Sequence, residues 1–246
     1  MKGDKIFGFY IKGLGELLLS KYSEELANLQ YQNGRANLDL PLQKFIKNVI
    51  IQNKYYKVDG YDDWKVINIY TENEYTDNIK NQVENYNNPD MIFEVHLGGD
   101  KKYEKLELKT SKDICIKGSS LSNIDNYEQT IFIYRGKDGI DIATGEYYKA
   151  ITDMVPRITD RQPRLYLSFS KLKKAMNEDI EIPVNNNYIY DAIADKTINE
   201  LIKTPVGEYD WYSKYNAQLL CKFLNLYENL DEKAKLDVKK KLYLNI

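Results

Sequence analysis

One stretch, from Asn88 to Lys112, constrains the fold of this chain more than any other. Met91 to Leu97 (Met-Ile-Phe-Glu-Val-His-Leu) is an apolar, β-prone run, and Gly98-Gly99-Asp100 supplies turn residues. Residues 106–110 (Leu-Glu-Leu-Lys-Thr) then return with strict alternation. Two such runs joined by glycines specify a β-hairpin over about residues 88–112. Successive side chains of a strand point to opposite faces, so Leu106 and Leu108 share one face while Glu107 and Lys109 share the other. Closing the hairpin brings Asp90, just ahead of the first strand, beside Glu107. Two carboxylates and an ammonium on one sheet surface suit a hard cation and a water held near a phosphate.

Pro89-Asp90, followed by Glu107-Leu108-Lys109, resembles the PD-(D/E)XK motif of nucleases, most familiar from type II restriction endonucleases. It is the only Pro-Asp in the chain. Rival acid-x-Lys triplets stand at Asp63-Trp64-Lys65, Asp100-Lys101-Lys102 and Asp237-Val238-Lys239. The first and last have no Pro-Asp at suitable spacing upstream, and Asp100 belongs to the turn. The resemblance implies a Mg²⁺-dependent, site-specific endonuclease that hydrolyses phosphodiester bonds of double-stranded DNA, with Asp90, Glu107 and Lys109 as its catalytic residues. It implies Asp90, Glu107 and the backbone carbonyl of Leu108 as Mg²⁺ ligands, and Lys109 facing the attacking water. A homodimer on a palindromic duplex, each subunit cutting one strand, is the matching geometry. In many such enzymes a helix ahead of the hairpin adds a glutamate. Gln43 and Lys44 occupy that place here, so Gln43 is the candidate additional polar residue of the site, and a plain helix surface is its ordinary reading.

Two further segments offer DNA contacts. Ser111, Lys112 and Lys117 follow the catalytic strand and are candidates for phosphate contact. Gly118-Ser119-Ser120 resembles a segment that meets phosphates in some restriction endonucleases, although helix capping or a turn is the leading reading for Ser119 and Ser120. Three of the five arginines, Arg157, Arg161 and Arg164, fall in one proline-stiffened span. The guanidinium fork matches guanine O6 and N7 and also phosphate, whereas the ordinary reading is pairing with acids or a dimer contact.

Composition narrows the remaining classes. The single histidine, His96, argues against a histidine-based metal site or a Ser-His-Asp triad. Cys115 and Cys221 do not suggest a disulfide scaffold or a zinc site. No apolar run is long enough to span a membrane, and no signal-peptide core opens the chain, so a cytoplasmic setting is expected. Lys and Arg number 35 against 37 Asp and Glu. A protein that coats DNA nonspecifically should show a large basic excess, whereas a site-specific enzyme can gather its cations in one cleft, so composition alone favours neither reading.

The rest of the chain reads as one α/β domain over residues 1–246, a restriction-endonuclease-like mixed central sheet flanked by helices. A short β-like start over 6–11 is ended by Gly13 and Gly15, and a helix follows over 16–32, stopped at Asn33-Gly34. A second helix covers about 42–53 with Pro41 in its entry. Residues 64–70 form a strand and 77–86 a short helix, and 85–88 is a flexible approach to Asp90. Residues 130–134 form a buried strand, 135–139 a turn and 140–142 its return. A further strand covers 165–169. Short helices are expected at 171–177 and 189–202, and one or two amphipathic helices over about 214–245, broken near Asn229-Leu230-Asp231. Two other functions stay open. One is a structure-directed nuclease (junction resolvase, repair nickase or exonuclease) on the same core. The other is a DNA-binding or assembly protein without catalysis.

Overall fold

The computed structural model describes residues 2–29, 39–84, 86–120, 128–152, 164–178 and 211–244. These belong to two compact units, the first holding the described residues through 178 and the second those from 211 to 244.

The first unit is built on a five-stranded mixed sheet. Its strands are β1 (Trp64–Thr71), β2 (Met91–Leu97), β3 (Asp100–Ser111), β5 (Gln129–Gly136) and β6 (Gly139–Glu146), side by side in that order. β1, β2 and β3 form an antiparallel meander, β3 and β5 run parallel, and β5 and β6 close an antiparallel hairpin. A parallel neighbour cannot be reached by a tight turn. The connection from β3 to β5 therefore passes through β4 (Cys115–Ser120), which pairs with β7 (Arg164–Ser168) in a separate two-stranded sheet. The β2–β3 turn is shorter than the sequence suggests. Gly98 and Gly99 take φ of 59° and 96°, the left-handed values a two-residue hairpin turn demands, and Asp100 already pairs with Leu97.

Helices α1 (Lys2–Asn28) and α2 (Asp39–Gln52) cover one face of the sheet. Met91, Phe93, Val95, Leu106, Leu108, Ile131 and Ile133 project into this core with Tyr10, Ile11, Leu14, Ile46 and Ile50. Each large apolar side chain withdrawn here contributes roughly 1.5–3 kcal/mol. The short β start expected at 6–11 is instead the first part of α1. Gly13 and Gly15 do not end an element. A Cβ at Gly15 would lie 2.6 Å from Thr144 Cγ2 of β6, and one at Gly13 would collide with the Tyr55 hydroxyl. They are small because the helix seats directly on its neighbours. The expected stop at Asn33-Gly34 lies outside the described residues.

On the opposite face, α4 (Phe169–Glu178) covers β5 and β6. Phe169 meets Phe132 at 5.5 Å between ring centroids, and Lys173 pairs with Asp141 at 2.7 Å. Phe169 begins this helix and does not end the preceding strand. Over β1–β3 the same face carries a polar knot. The nearly buried Glu94 accepts from Asn68 (2.9 Å) and Tyr70 (2.8 Å) on β1 and pairs with Lys101 (2.9 Å) on β3. Burial alone would raise the Glu94 pKa, but hydrogen bonds from Asn68, Lys101 and Tyr70 outweigh it and hold the carboxyl below its ordinary value. The Tyr70 phenol is pushed up to about 12, by burial first and then by Glu94. Short α3 (Asp77–Gln82) is capped by the Thr76 hydroxyl, which accepts from the Ile79 N–H.

The second unit contributes α5 (Trp211–Glu228) and α6 (Glu232–Leu244). The break falls at the expected Asn229-Leu230-Asp231, where the Asp231 carboxylate accepts from the Ala234 N–H at 2.8 Å and so caps α6. The helix expected at 189–202 lies outside the described residues. Among the described residues no helix is long and apolar enough to cross a membrane.

Candidate active site

The hairpin register builds the site. β2 and β3 pair as Leu97 with Asp100 through Met91 with Leu106, and one further step sets Asp90 opposite Glu107. There β2 has ended, so the Leu108 N–H is not taken by a β2 carbonyl. It donates instead to Asp90 Oδ2 at 2.7 Å. This bond turns the Asp90 carboxylate across the end of β2 and against β3. Lys109, two residues beyond Glu107 on the same face, donates to Glu107 Oε1 in a close ion pair. Both side chains are mostly withdrawn from solvent, 18% and 12% exposed for Lys109 and Glu107. Burial acts to lower the Lys109 pKa, but the charges of Glu107 and then Asp90 overcome it, and the ammonium is held above its ordinary value. Asp90, Glu107 and Lys109 are therefore one electrostatic unit.

That unit is neutralised from within. Two acids side by side should repel and protonate unless a cation joins them. Here Lys109 supplies the cation from within the chain, so the acid pair is not by itself an argument for metal.

The parallel neighbour adds a residue that the sequence does not single out. Glu107 lies level with Thr130 of β5, whose side chain is fully buried and whose hydroxyl has no hydrogen-bond partner. Buried hydroxyls are seldom left so. Tyr75 bonds the Pro89 carbonyl next to Asp90, and Asn87 in the same approach bonds Glu128, which is buried at the entry to β5. A carboxylate one residue ahead of an apolar strand was the visible signal for Glu128. No local pattern marked Tyr75.

Gln43 is not on a plain helix surface. It is fully buried on α2, and its Oε1 accepts from the Glu72 N–H at 3.0 Å. Thr71 pairs with Met91, so Glu72 sits one step past the end of β1, at the level of Asp90. Gln43 is thereby fastened to the rim of the site, with an Nε2 donor that has no partner. Among the described residues no three histidine, cysteine or acidic side chains gather closely enough to hold a metal.

The proposed phosphate contacts divide by position. Ser111 shares the face of Glu107 and Lys109 by strand alternation, and its hydroxyl accepts from the Asp113 N–H at 2.8 Å. Lys112 and Lys117 are exposed. Gly118-Ser119-Ser120 neither starts a helix nor forms a turn. It is the end of β4, with Ser120 opposite Arg164, because pairing with β7 overrides the local turn chemistry. Arg164 opens β7, while Arg157 and Arg161 lie outside the described residues. The rival triplets are placed elsewhere. Asp63 and Lys65 flank Trp64 at the far end of β1, Asp100 starts β3, and Asp237 and Lys239 sit on α6, where residues two apart do not face each other.

Neither family models nor curated protein sequences give a match to this chain.

Proposed function

We propose that this chain is a metal-dependent DNA nuclease of the PD-(D/E)XK kind, with Asp90, Glu107 and Lys109 as its catalytic residues and a type II restriction endonuclease as the nearest functional type. The observation that carries the reading is the hairpin register, which makes Asp90 and Glu107 level neighbours with the Lys109 ammonium beside them. The order helix, hairpin, strand and helix through α2, β2–β3, β5 and α4 supports the restriction-endonuclease-like arrangement.

The donor set fits Mg²⁺. Two carboxylates and the Leu108 carbonyl are all oxygen ligands, and Mg²⁺ is commonly held by one or two carboxylates with water and substrate phosphate completing its shell. Asp90, Glu107 and Leu108 would hold the ion, which when bound supplies charge neutralisation at the phosphate and acidifies a water. Lys109 remains an ammonium at any working pH. Its role is to stabilise negative charge and orient the attacking water, not to accept a proton. Ser111, farther along the same strand face, is placed to meet a phosphate of the bound strand. Lys112, Lys117, Ser119 and the arginines at 157, 161 and 164 are the further contacts to duplex DNA. A homodimer brings one such site to each strand.

Supercoiled plasmid incubated with the purified chain and Mg²⁺ is expected to yield discrete linear fragments, and Asp90→Ala or Lys109→Ala to abolish cleavage. Intact plasmid across divalent metals, or full activity in either variant, refutes the assignment. A second reading, a DNA-binding protein without catalysis, is favoured by the internal neutralisation of Glu107 by Lys109, which makes the cluster stable without an ion. Absence of both cleavage and metal-dependent thermal stabilisation would select it.

A further inference from the structure

We propose that Tyr75, together with the Asn87–Glu128 pair, positions Asp90 for metal binding by clamping the segment that leads into it; this rests on the nuclease reading above. The approach to Asp90 reads as a polar, asparagine-rich loop, a poor support for a metal ligand. In the structure it is fastened from two sides. The Tyr75 hydroxyl, which follows the single 3₁₀ turn after β1, donates to the Pro89 carbonyl at 2.8 Å. That carbonyl belongs to the peptide bond joining Pro89 to Asp90, so the bond fixes the plane from which the Asp90 side chain departs. On the other side, Asn87 Nδ2 donates to Glu128 Oε2 at 3.0 Å, tying the loop to the entry of β5.

Glu128 is itself held in place. It is buried, and its carbonyl accepts from the Tyr147 N–H at 2.8 Å. Between the two anchors Asn88 adopts φ of 60°, a left-handed conformation that asparagine tolerates better than most residues. Tyr86 packs its ring edge-on to Tyr75 at 6.3 Å and donates to Asn88 Oδ1 at 2.9 Å. The loop thus has a definite shape, and its last peptide is tied down. Burial first, and then the charge of Asp90, push the Tyr75 phenol well up, so it remains a donor at every pH at which the enzyme would work.

A group that acts through a ligand rather than on the metal leaves a recognisable signature. Loss of such outer contacts commonly weakens metal affinity by about 10- to 100-fold. Removing only the Tyr75 hydroxyl keeps the ring and its packing, so Tyr75→Phe should retain the wild-type melting temperature within a few degrees. Mn²⁺ binding to the full chain, measured by calorimetry, is expected to weaken about tenfold. The Mg²⁺ concentration for half-maximal plasmid cleavage should rise by a similar factor, with the rate at saturating Mg²⁺ and the KM for plasmid little changed. Glu128→Ala should behave alike, and Glu128→Gln, which keeps an acceptor for Asn87, should recover most of what Glu128→Ala loses. Unchanged Mn²⁺ affinity and Mg²⁺ requirement in Tyr75→Phe and Glu128→Ala, while Asp90→Ala is inactive, overturns the clamp and leaves the nuclease standing. Wild-type activity in Asp90→Ala, or no Mn²⁺ binding by the unaltered chain, overturns both.

Discussion

Lys109 is the residue on which the site's electrostatics turn. Its ammonium is raised above the ordinary lysine value, so the stability it contributes is complete below that value and fades only as pH climbs through the raised one. Lys109→Met removes that charge and leaves Asp90 and Glu107 facing each other. Their repulsion then opposes ionising both acids, so the penalty is absent where they are protonated, grows as pH rises through the carboxylate range and is complete once both are charged. The deficit against wild type should be roughly 3 kcal/mol near pH 8, where both are ionised, and should narrow toward about pH 5. Added Mg²⁺ should recover part of it near pH 8. Thermal melts across this range, with and without Mg²⁺, decide the matter, and a deficit independent of pH would show that Lys109 acts by packing alone. At this scale the sequence was informative for Asp90, Glu107 and Lys109, whose types and spacing are local. It offered Gln43 only as a candidate with a helix surface as its ordinary reading, and was silent on its burial, on Thr130 and on Tyr75. Their importance comes from what lies across the sheet, and nothing in their immediate neighbours encodes burial.

At the scale of elements, glycine shows how one residue can signal opposite things. Gly98-Gly99 closes a two-residue turn and carries positive φ, which the adjoining strands make plain. Gly13 and Gly15 look like breakers between a strand and a helix, yet they lie inside α1. In an exposed helix Gly→Ala stabilises by about 1 kcal/mol. Gly15→Ala should instead destabilise by about 1–2 kcal/mol, because its methyl would stand 2.6 Å from Thr144 Cγ2. Thr144→Ser deletes that methyl, so the double variant should regain most of the loss, and denaturant titration of the four proteins in the cycle measures it. Additive effects would mean that the helix does not meet β6 there. β4 teaches the same lesson from the other side. Gly118-Ser119-Ser120 carries turn chemistry, but hydrogen bonding to β7, more than forty residues on, makes it a strand.

For the whole molecule the proposed dimer has a direct consequence. On the proposed reading each chain cuts one strand with its Asp90-Glu107-Lys109 set, so cutting a duplex in both strands takes two chains acting together. Mixing wild-type and Asp90→Ala chains before adding plasmid should produce mainly nicked circles at intermediate ratios, from pairs with one competent site. A simple dilution of linear product, without nicks, would argue that each active unit cuts both strands alone.

Apolar alternation, a Gly-Gly turn and the period of two were enough to determine that Glu107 and Lys109 share a face and that Asp90 meets them. Those quantities depend on neighbours within a few residues and survive in any fold that closes the hairpin. Tertiary structure decided the rest. It seated α1 and α2 on one face of the sheet, set β5 parallel to β3 so that Thr130 lies level with Glu107, and brought Tyr75 to the Pro89 carbonyl. Each of these is a contact between segments distant along the chain, chosen by which surfaces exclude water together. That choice is collective and leaves no periodic mark on the residues that make it.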